Sequence, residues 1–151
     1  MERIIHQRAE LSCDPHRAFE MFTNAQLVQS WLAPRAEIEP VVGGKYELFW
    51  RPDDRENDST IGCKVTAIEP DRFLCFEWKG PTEYQHFMNA ADPLTHVVVF
   101  FIPREDGPTP CTEVHLVHSG WRSSAEWRAA EDWFVTAWDV AFQELKDQIK
   151  T

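Results

Sequence analysis

Few residues in this chain have the type and spacing that chemistry needs. His118 closes the alternating run Val114, Leu116, His118, so it is expected to face the interior, where an imidazole can give or take a proton near neutral pH. Glu131 falls at the edge of the apolar face of a C-terminal helix. A carboxylate there is costly unless paired or wet, and Glu131 is expected at the rim with its head in water. His118 and Glu131 are the two candidates for acid-base catalysis, set against the commoner role of an inward histidine as a hydrogen-bonded structural residue. No phosphate loop, Ser/His/Asp spacing, H-E-x-x-H or EF-hand pattern occurs. Cys13, Cys63, Cys75 and Cys111 show no C-x-x-C and no zinc-like pairing with the six histidines. They read as reduced, buried thiols, and neither a metal nor a cofactor is expected.

The other polar groups expected to face inward are Gln7, the Tyr46 hydroxyl and the tryptophan indole N–H groups. A mostly apolar pocket with a few convergent polar groups is what a small-molecule site looks like. Its candidate walls are Tyr46, Leu48, Trp50, Val65, Phe76, Trp78, Val99, Leu116 and His118 from strands, and Phe134, Ala137, Trp138 and Ala141 from the helix. Tyr84, Phe87 and Met88 lie in the stretch Lys79 to Pro93, which is long for a hairpin loop and bracketed by Gly80-Pro81 and Asp92-Pro93. That stretch reads either as a short helical lid over the pocket mouth or as a surface loop over the sheet edge.

The element that must position these residues is one long amphipathic helix, Ser123 to Lys150. At about 100° per residue, Trp127, Ala130, Phe134, Ala137, Trp138, Ala141, Phe142, Leu145 and Ile149 fall within an arc of roughly 140°. Ser123 with Glu126 reads as a capping box, and Lys146 and Lys150 suit the negative end of the dipole. A helix of about 40 Å needs an equally long partner, and an open curved sheet supplies one. Ala130, Ala137 and Ala141 line one side of its face. They either let the helix sit close to the sheet or wall a cavity.

Upstream, Glu2 to Ser12 is extended in character. Asp14-Pro15 then starts a short helix and Asn24 caps a second, which Pro34 ends. From Ala36 the apolar period becomes two, with strands expected at Ala36 to Glu39, Lys45 to Arg51, Thr60 to Glu69, Arg72 to Trp78, Thr95 to Ile102 and Thr112 to Gly120. The punctuation is Gly43-Gly44, Pro52 to Ser59, Glu69-Pro70-Asp71 and Glu105-Asp106-Gly107-Pro108. Alternation assigns Ile61, Cys63, Val65 and Ala67 to the inner face, while the strand Val97 to Ile102 is apolar on both faces, so that its outer side is open to another subunit. The order defines an α+β fold with a mostly antiparallel sheet covered on one side.

Composition sets further bounds. The 151 residues fit one domain, 1 to 151, with 43% hydrophobic residues and seven tryptophans. The net charge of −10 argues against nucleic acid or an anionic membrane surface as partner. The start Met-Glu-Arg-Ile-Ile-His lacks the organisation of a signal peptide and no apolar run is long enough to span a bilayer, so a cytoplasmic protein, monomeric or homodimeric, is expected.

Six pieces in order then carry a resemblance: Leu11-x-Cys-x-Pro15-x-x-Ala-Phe19; Phe22-Thr-Asn24-x-x-Leu27-x-x-x-Trp31; Gly43-Gly44-x-Tyr46-x-Leu48; Phe73-Leu-Cys-Phe-Glu-Trp78; Thr112-Glu-Val-His-Leu-Val-His118-Ser-Gly120-Trp121; and Trp138 with Phe142 and Leu145. Together they resemble the Hsp90 ATPase activator homologue 1-like branch of the START-like, SRPBCC or Bet v 1-like superfamily. The resemblance implies a helix-grip fold, in which a curved antiparallel sheet wraps a long C-terminal helix, two short helices follow the first strand, and a hydrophobic cavity often lies between sheet and helix. It does not select one activity, since fold is not function. Three readings follow: a binding protein for a hydrophobic or aromatic small molecule, a cyclase- or hydrolase-like enzyme using His118, and a chaperone-linked interaction module with Hsp90 as partner.

Overall fold

The computed structural model describes residues 3–105 and 107–149. Glu2, Asp106 and Lys150, which figure in the sequence reading of the first strand, a turn and the helix end, lie outside the described residues. The elements run β1 (Ile5–Leu11), α1 (Pro15–Thr23), α2 (Ala25–Val28), β2 (Arg35–Ile38), β3 (Tyr46–Phe49), β4 (Val65–Glu69), β5 (Phe73–Trp78), α3 (Gln85–Met88), β6 (Thr95–Arg104), β7 (Cys111–Ser119) and α4 (Ala125–Ile149). This is the expected α+β helix-grip architecture, with five antiparallel strands in the order β1-β7-β6-β5-β4 and β2-β3 as a separate two-stranded ladder.

The strand expected to start at Thr60 starts instead at Val65, because Thr60 to Lys64 turns, with Cys63 N–H donating to the Thr60 carbonyl and Gly62 at φ +87°. That turn still stitches β3 to the large sheet, since Tyr46 N–H donates to Cys63 C=O at 2.9 Å. A register shift between Val65 and Ala67 breaks the alternation, so Ile68 rather than Ala67 sits opposite Leu74 and packs on the core. Gly120, at φ +93°, ends β7 where an added Cβ would lie 3.2 Å from Thr95 Cα.

Both short helices start as their caps dictate: Asp14 accepts from Arg17 N–H and Asn24 from Leu27 N–H. A buried donor ties α1 to β3, Tyr46 Oη to Phe22 C=O at 2.7 Å, and another ties the segment after α2 back to α1, Trp31 Nε1 to Met21 C=O at 2.8 Å. The cap of α4 falls one residue later than the capping box implied: Ser124 Oγ, not Ser123, accepts from Trp127 N–H, and the Glu126 carboxylate meets His86 instead of the helix start. Along α4, Trp127, Ala130, Phe134, Trp138, Phe142, Leu145 and Ile149 are buried in the core. Ala137 and Ala141 are only half-buried. The outer side of β6 leaves Phe100 and Ile102 exposed, as its two-sided apolar pattern implied.

Candidate functional site: a tryptophan-walled groove

The expected cavity between the sheet centre and α4 is filled. Tyr46 stacks on Phe76 with centroids 3.8 Å apart, and Tyr46, Leu48, Val65, Phe76, Val99 and Leu116 are all at most 1% exposed. They form packed core and none of them lines open space. The physical reason is volume: aromatic and branched side chains from facing strands and from α4 interlock there, and burial at the sheet centre leaves no room for a guest.

Open space lies one helix stripe away. A groove of about 650 Å³ runs between α4, the end of α2, the loop after β3 and the end of β5. Of the residues expected to form a site, Trp50, Trp78, Phe134, Ala137, Trp138 and Ala141 line it. The two alanines do leave space, whereas Ala130 is fully buried and does not. Sequence reading missed Trp31, Leu32, Lys79, Trp133 and Val140, which also line the groove. The missed signal was a second stripe on α4: Trp133, Ala137, Val140, Ala141 and Glu144 recur at helical spacing beside the core stripe, and Trp133 and Val140 are large apolar residues left exposed.

Trp50 was expected to point inward with Tyr46 and Leu48. It is 38% exposed instead, with its ring edge-on to Trp78 at 5.9 Å and its indole N–H donated to Leu32 C=O. Trp78 in turn leans on Trp138 at 5.2 Å. Trp50, Trp78 and Trp138 thus form a continuous run of aromatic rings, whose two outer members are held by their indole hydrogen bonds, a surface suited to flat apolar molecules.

His118 lies behind that wall, wholly buried and outside the groove. Trp138 Nε1–H donates to its Nδ1 at 3.1 Å, which assigns the proton to Nε2, and Nε2 faces Thr95 Oγ1 at 3.0 Å. The Thr95 hydroxyl passes the chain on to Trp78 C=O. Burial pushes the imidazole pKa down to about 3, with His96 adding a smaller push in the same direction. Both ring nitrogens are therefore engaged in a neutral imidazole.

Glu131 departs from its expected rim position: it is 3% exposed and paired with Arg3 at 3.1 Å. Arg3, just before β1, reaches α4 and covers the carboxylate, which explains how a charge sits in the apolar arc. Among the described residues no hydrogen bond joins Glu131 to His118, so the pair weighed for acid-base chemistry is not brought together.

The segment 79–93 contains α3 and packs on the first half of α4, with Phe87 edge-on to Trp127 at 5.1 Å and Tyr84 to Trp133 at 6.1 Å. Met88, expected in a lid, is 1% exposed and belongs to the core, where its sulfur fills the space beside Gly80. Tyr84, Phe87 and Met88 do not line the groove; only the start of the segment, Lys79, Gly80 and Pro81, does. Cys13, Cys63, Cys75 and Cys111 are free, and burial pushes the Cys63 thiol up to about 12.

This arrangement of sheet, paired short helices and gripped C-terminal helix defines a START-like α+β protein. A family model for "Activator of Hsp90 ATPase homolog 1-like protein" matches residues 12–150, and the chain belongs to that family. Among solved structures, a protein from Mesorhizobium loti has a TM-score of 0.74 at 19% identity, covering 99% of this chain and 100% of that one. The Aha1 dimer from Colwellia psychrerythraea has a TM-score of 0.68 at 18% identity, covering 97% of this chain and 96% of its own. An HSP90 activator from Plasmodium falciparum has a TM-score of 0.68 at 20% identity, covering 94% and 92%. No curated protein matches the sequence.

Proposed function

We propose that the protein binds a hydrophobic or aromatic small molecule in the groove between α4 and the β3 loop. The observation that carries this reading is the groove itself: about 650 Å³ of open space, walled by five tryptophans, with the small side chains of Ala137 and Ala141 between the larger ones that α4 contributes. Volume and lining fall in the range of drug-sized ligand sites. Catalysis is not part of the reading, because the neutral imidazole of His118 is sealed behind Trp138. The four free thiols fit a cytoplasmic setting. No helix among the described residues is long and apolar enough to cross a membrane.

The test is a titration with a hydrophobic fluorescent probe on the wild type and on Ala137→Leu. Because Ala137 lines the groove, leucine there should fill it and weaken probe binding while leaving the thermal midpoint unchanged or higher. Equal affinity in both proteins would place the probe elsewhere and remove the site. A second reading, contact with an Hsp90-type chaperone, draws on the family description, on the Plasmodium relative and on the exposed Phe100 and Ile102 of the outer sheet face. Loss of chaperone ATPase stimulation in Phe100→Ser, with the groove intact, is the result expected on that reading.

A further inference from the structure

We infer that the groove selects flat apolar molecules that carry a neutral hydrogen-bond acceptor, such as a ketone oxygen, bound by the indole N–H of Trp78; this rests on the small-molecule reading above. Trp78 ends β5 on the inner face, lines the groove and is 3% exposed. Its ring is packed against those of Phe76, Trp50, Trp138 and His118, with centroids 5.2 to 6.3 Å away, so the donor is held in place before a guest arrives.

A buried indole N–H ordinarily finds an acceptor. In the same wall Trp31 donates to Met21 C=O, Trp50 to Leu32 C=O and Trp138 to His118 Nδ1. Trp78 Nε1 has no acceptor among the described residues. Nor is that nitrogen sealed in the protein: among the described residues, the side-chain atom both buried and without a partner is Gln85 Oε1. The N–H therefore meets open space, and the open space that Trp78 borders is the groove. Trp133 also lines the groove without an acceptor, but it is exposed at the rim, where water serves its N–H.

An indole N–H only donates, so its complement is an acceptor on the guest. The charges on the lining disfavour an anionic one. Asp58 accepts from Thr82 N–H and pairs with Arg51 at 3.1 Å, contacts that hold its carboxyl below the usual range, the Thr82 N–H first among them. Glu144 is an exposed carboxylate on α4, and the whole chain carries a net charge of −10. Lys79 lines the groove too, but its Nζ donates to the carbonyl of Ile61, which does not. A guest with no acceptor would leave the Trp78 donor dry and unpaired, which is how a site of this kind rejects a plain hydrocarbon. The apolar body is met by Trp31 and Trp138, whose N–H groups are turned into the protein, and by the space beside Ala137 and Ala141.

NMR titration of the isotope-labelled full chain with 2-acetylnaphthalene, 2-ethylnaphthalene and 2-naphthoate tests the choice. The ketone should bind the wild type about tenfold more tightly than the hydrocarbon of the same shape, and more tightly than the acid. In Trp78→Phe the ratio of ketone to hydrocarbon affinity should fall to about one, whatever change is common to both probes. The wild-type spectrum decides independently of any variant: of the seven indole N–H signals, that of Trp78 should move downfield with the ketone and not with the hydrocarbon. Equal affinity of ketone and hydrocarbon in the wild type overturns the inference and leaves the small-molecule reading standing. So does a ketone preference that survives in Trp78→Phe, or a ketone that leaves the Trp78 signal in place. An acid that binds as tightly as the ketone overturns the choice of a neutral acceptor. Failure of all three probes to bind the wild type removes the small-molecule reading together with this inference.

Discussion

Protonating His118 would put a cation among four aromatic rings, those of Trp78, Trp121, Phe134 and Trp138, all within 6.3 Å of the imidazole. The folded pKa of about 3 lies below the ordinary value of 6.5, so the unfolded chain takes the proton first. This contribution to stability is complete above pH 6.5 and is lost as pH falls from 6.5 toward 3, with a slope approaching 1.4 kcal/mol per pH unit at about one proton. His96, half-buried and also lowered by burial, acts in the same direction, whereas His16, raised by Asp71, acts in the opposite one. Urea melts between about pH 6.5 and 5, a range above the usual carboxylate values, should therefore show a steeper loss in wild type than in His118→Phe. Matching slopes would mean that the imidazole is wetter than its burial implies. The same residue fixes the cost of changing Trp138. Trp138→Phe keeps most of the ring but leaves Nδ1 without its donor, an expected loss of about 1 to 3 kcal/mol. Trp138→Ala adds a cavity and should cost about 3 to 5 kcal/mol, read as a lower denaturation midpoint with little change in slope.

The helix α4 carries two stripes with different jobs, and alanine reports on both. Ala130 is fully buried in the core stripe, whereas Ala137 borders the groove. Ala130→Leu should overpack and cost about 1 to 3 kcal/mol, while Ala137→Leu should stay within about 0.5 kcal/mol of wild type or gain. Equal losses at the two positions in thermal melts would mean that the groove closes in solution. The helix itself was legible from sequence, because its apolar period and polar ends are local signals. So were the caps at Asp14 and Asn24 and the order of strands, where alternation and glycine punctuation coincide. The site was legible only in part. Alternation placed Tyr46, Leu48 and Trp50 on one face, but β3 ends at Phe49, so Trp50 turns out to the groove rim and hydrogen-bonds to Leu32. Periodicity distinguishes inside from outside; it does not say which interior residues pack solidly and which border open space, since that depends on volumes contributed by distant segments. Glu131 was misjudged for a related reason: its partner Arg3 is 128 positions away in sequence, and no local pattern announces such a pair.

At the scale of the whole molecule, charge is the open variable. A net charge of −10 on a chain of this size repels itself, and the compact state feels more of that repulsion than the expanded one. The opposing term is the set of surface ion pairs, such as Arg8 with Glu10 and Glu113, Arg104 with the same two carboxylates, and Arg55 with Glu37. Glu113 is the centre of the largest group among the described residues; Arg8, then His115 and Arg104, hold its carboxyl down to about 2. Exposed pairs of this kind contribute about 0 to 1 kcal/mol each and are themselves screened, so they hold neighbouring strands in register without offsetting ten uncompensated charges. Raising salt from about 0.01 to 0.15 M shortens the Debye length from about 30 to 8 Å, which removes long-range repulsion before it weakens contacts of 3 to 4 Å. The thermal midpoint at neutral pH should therefore rise with salt over this range. A midpoint that falls would show that the network around Glu113 outweighs the net charge, and Glu113→Gln should then abolish the salt dependence. Acidification cannot substitute for salt. Lowering the pH toward the isoelectric point near 5.0 does reduce the repulsion, but it enters the window in which the unfolded chain binds the proton that His118 refuses. The two effects oppose each other below pH 6.5, so the most stable condition is expected at neutral pH and moderate salt, not at zero net charge.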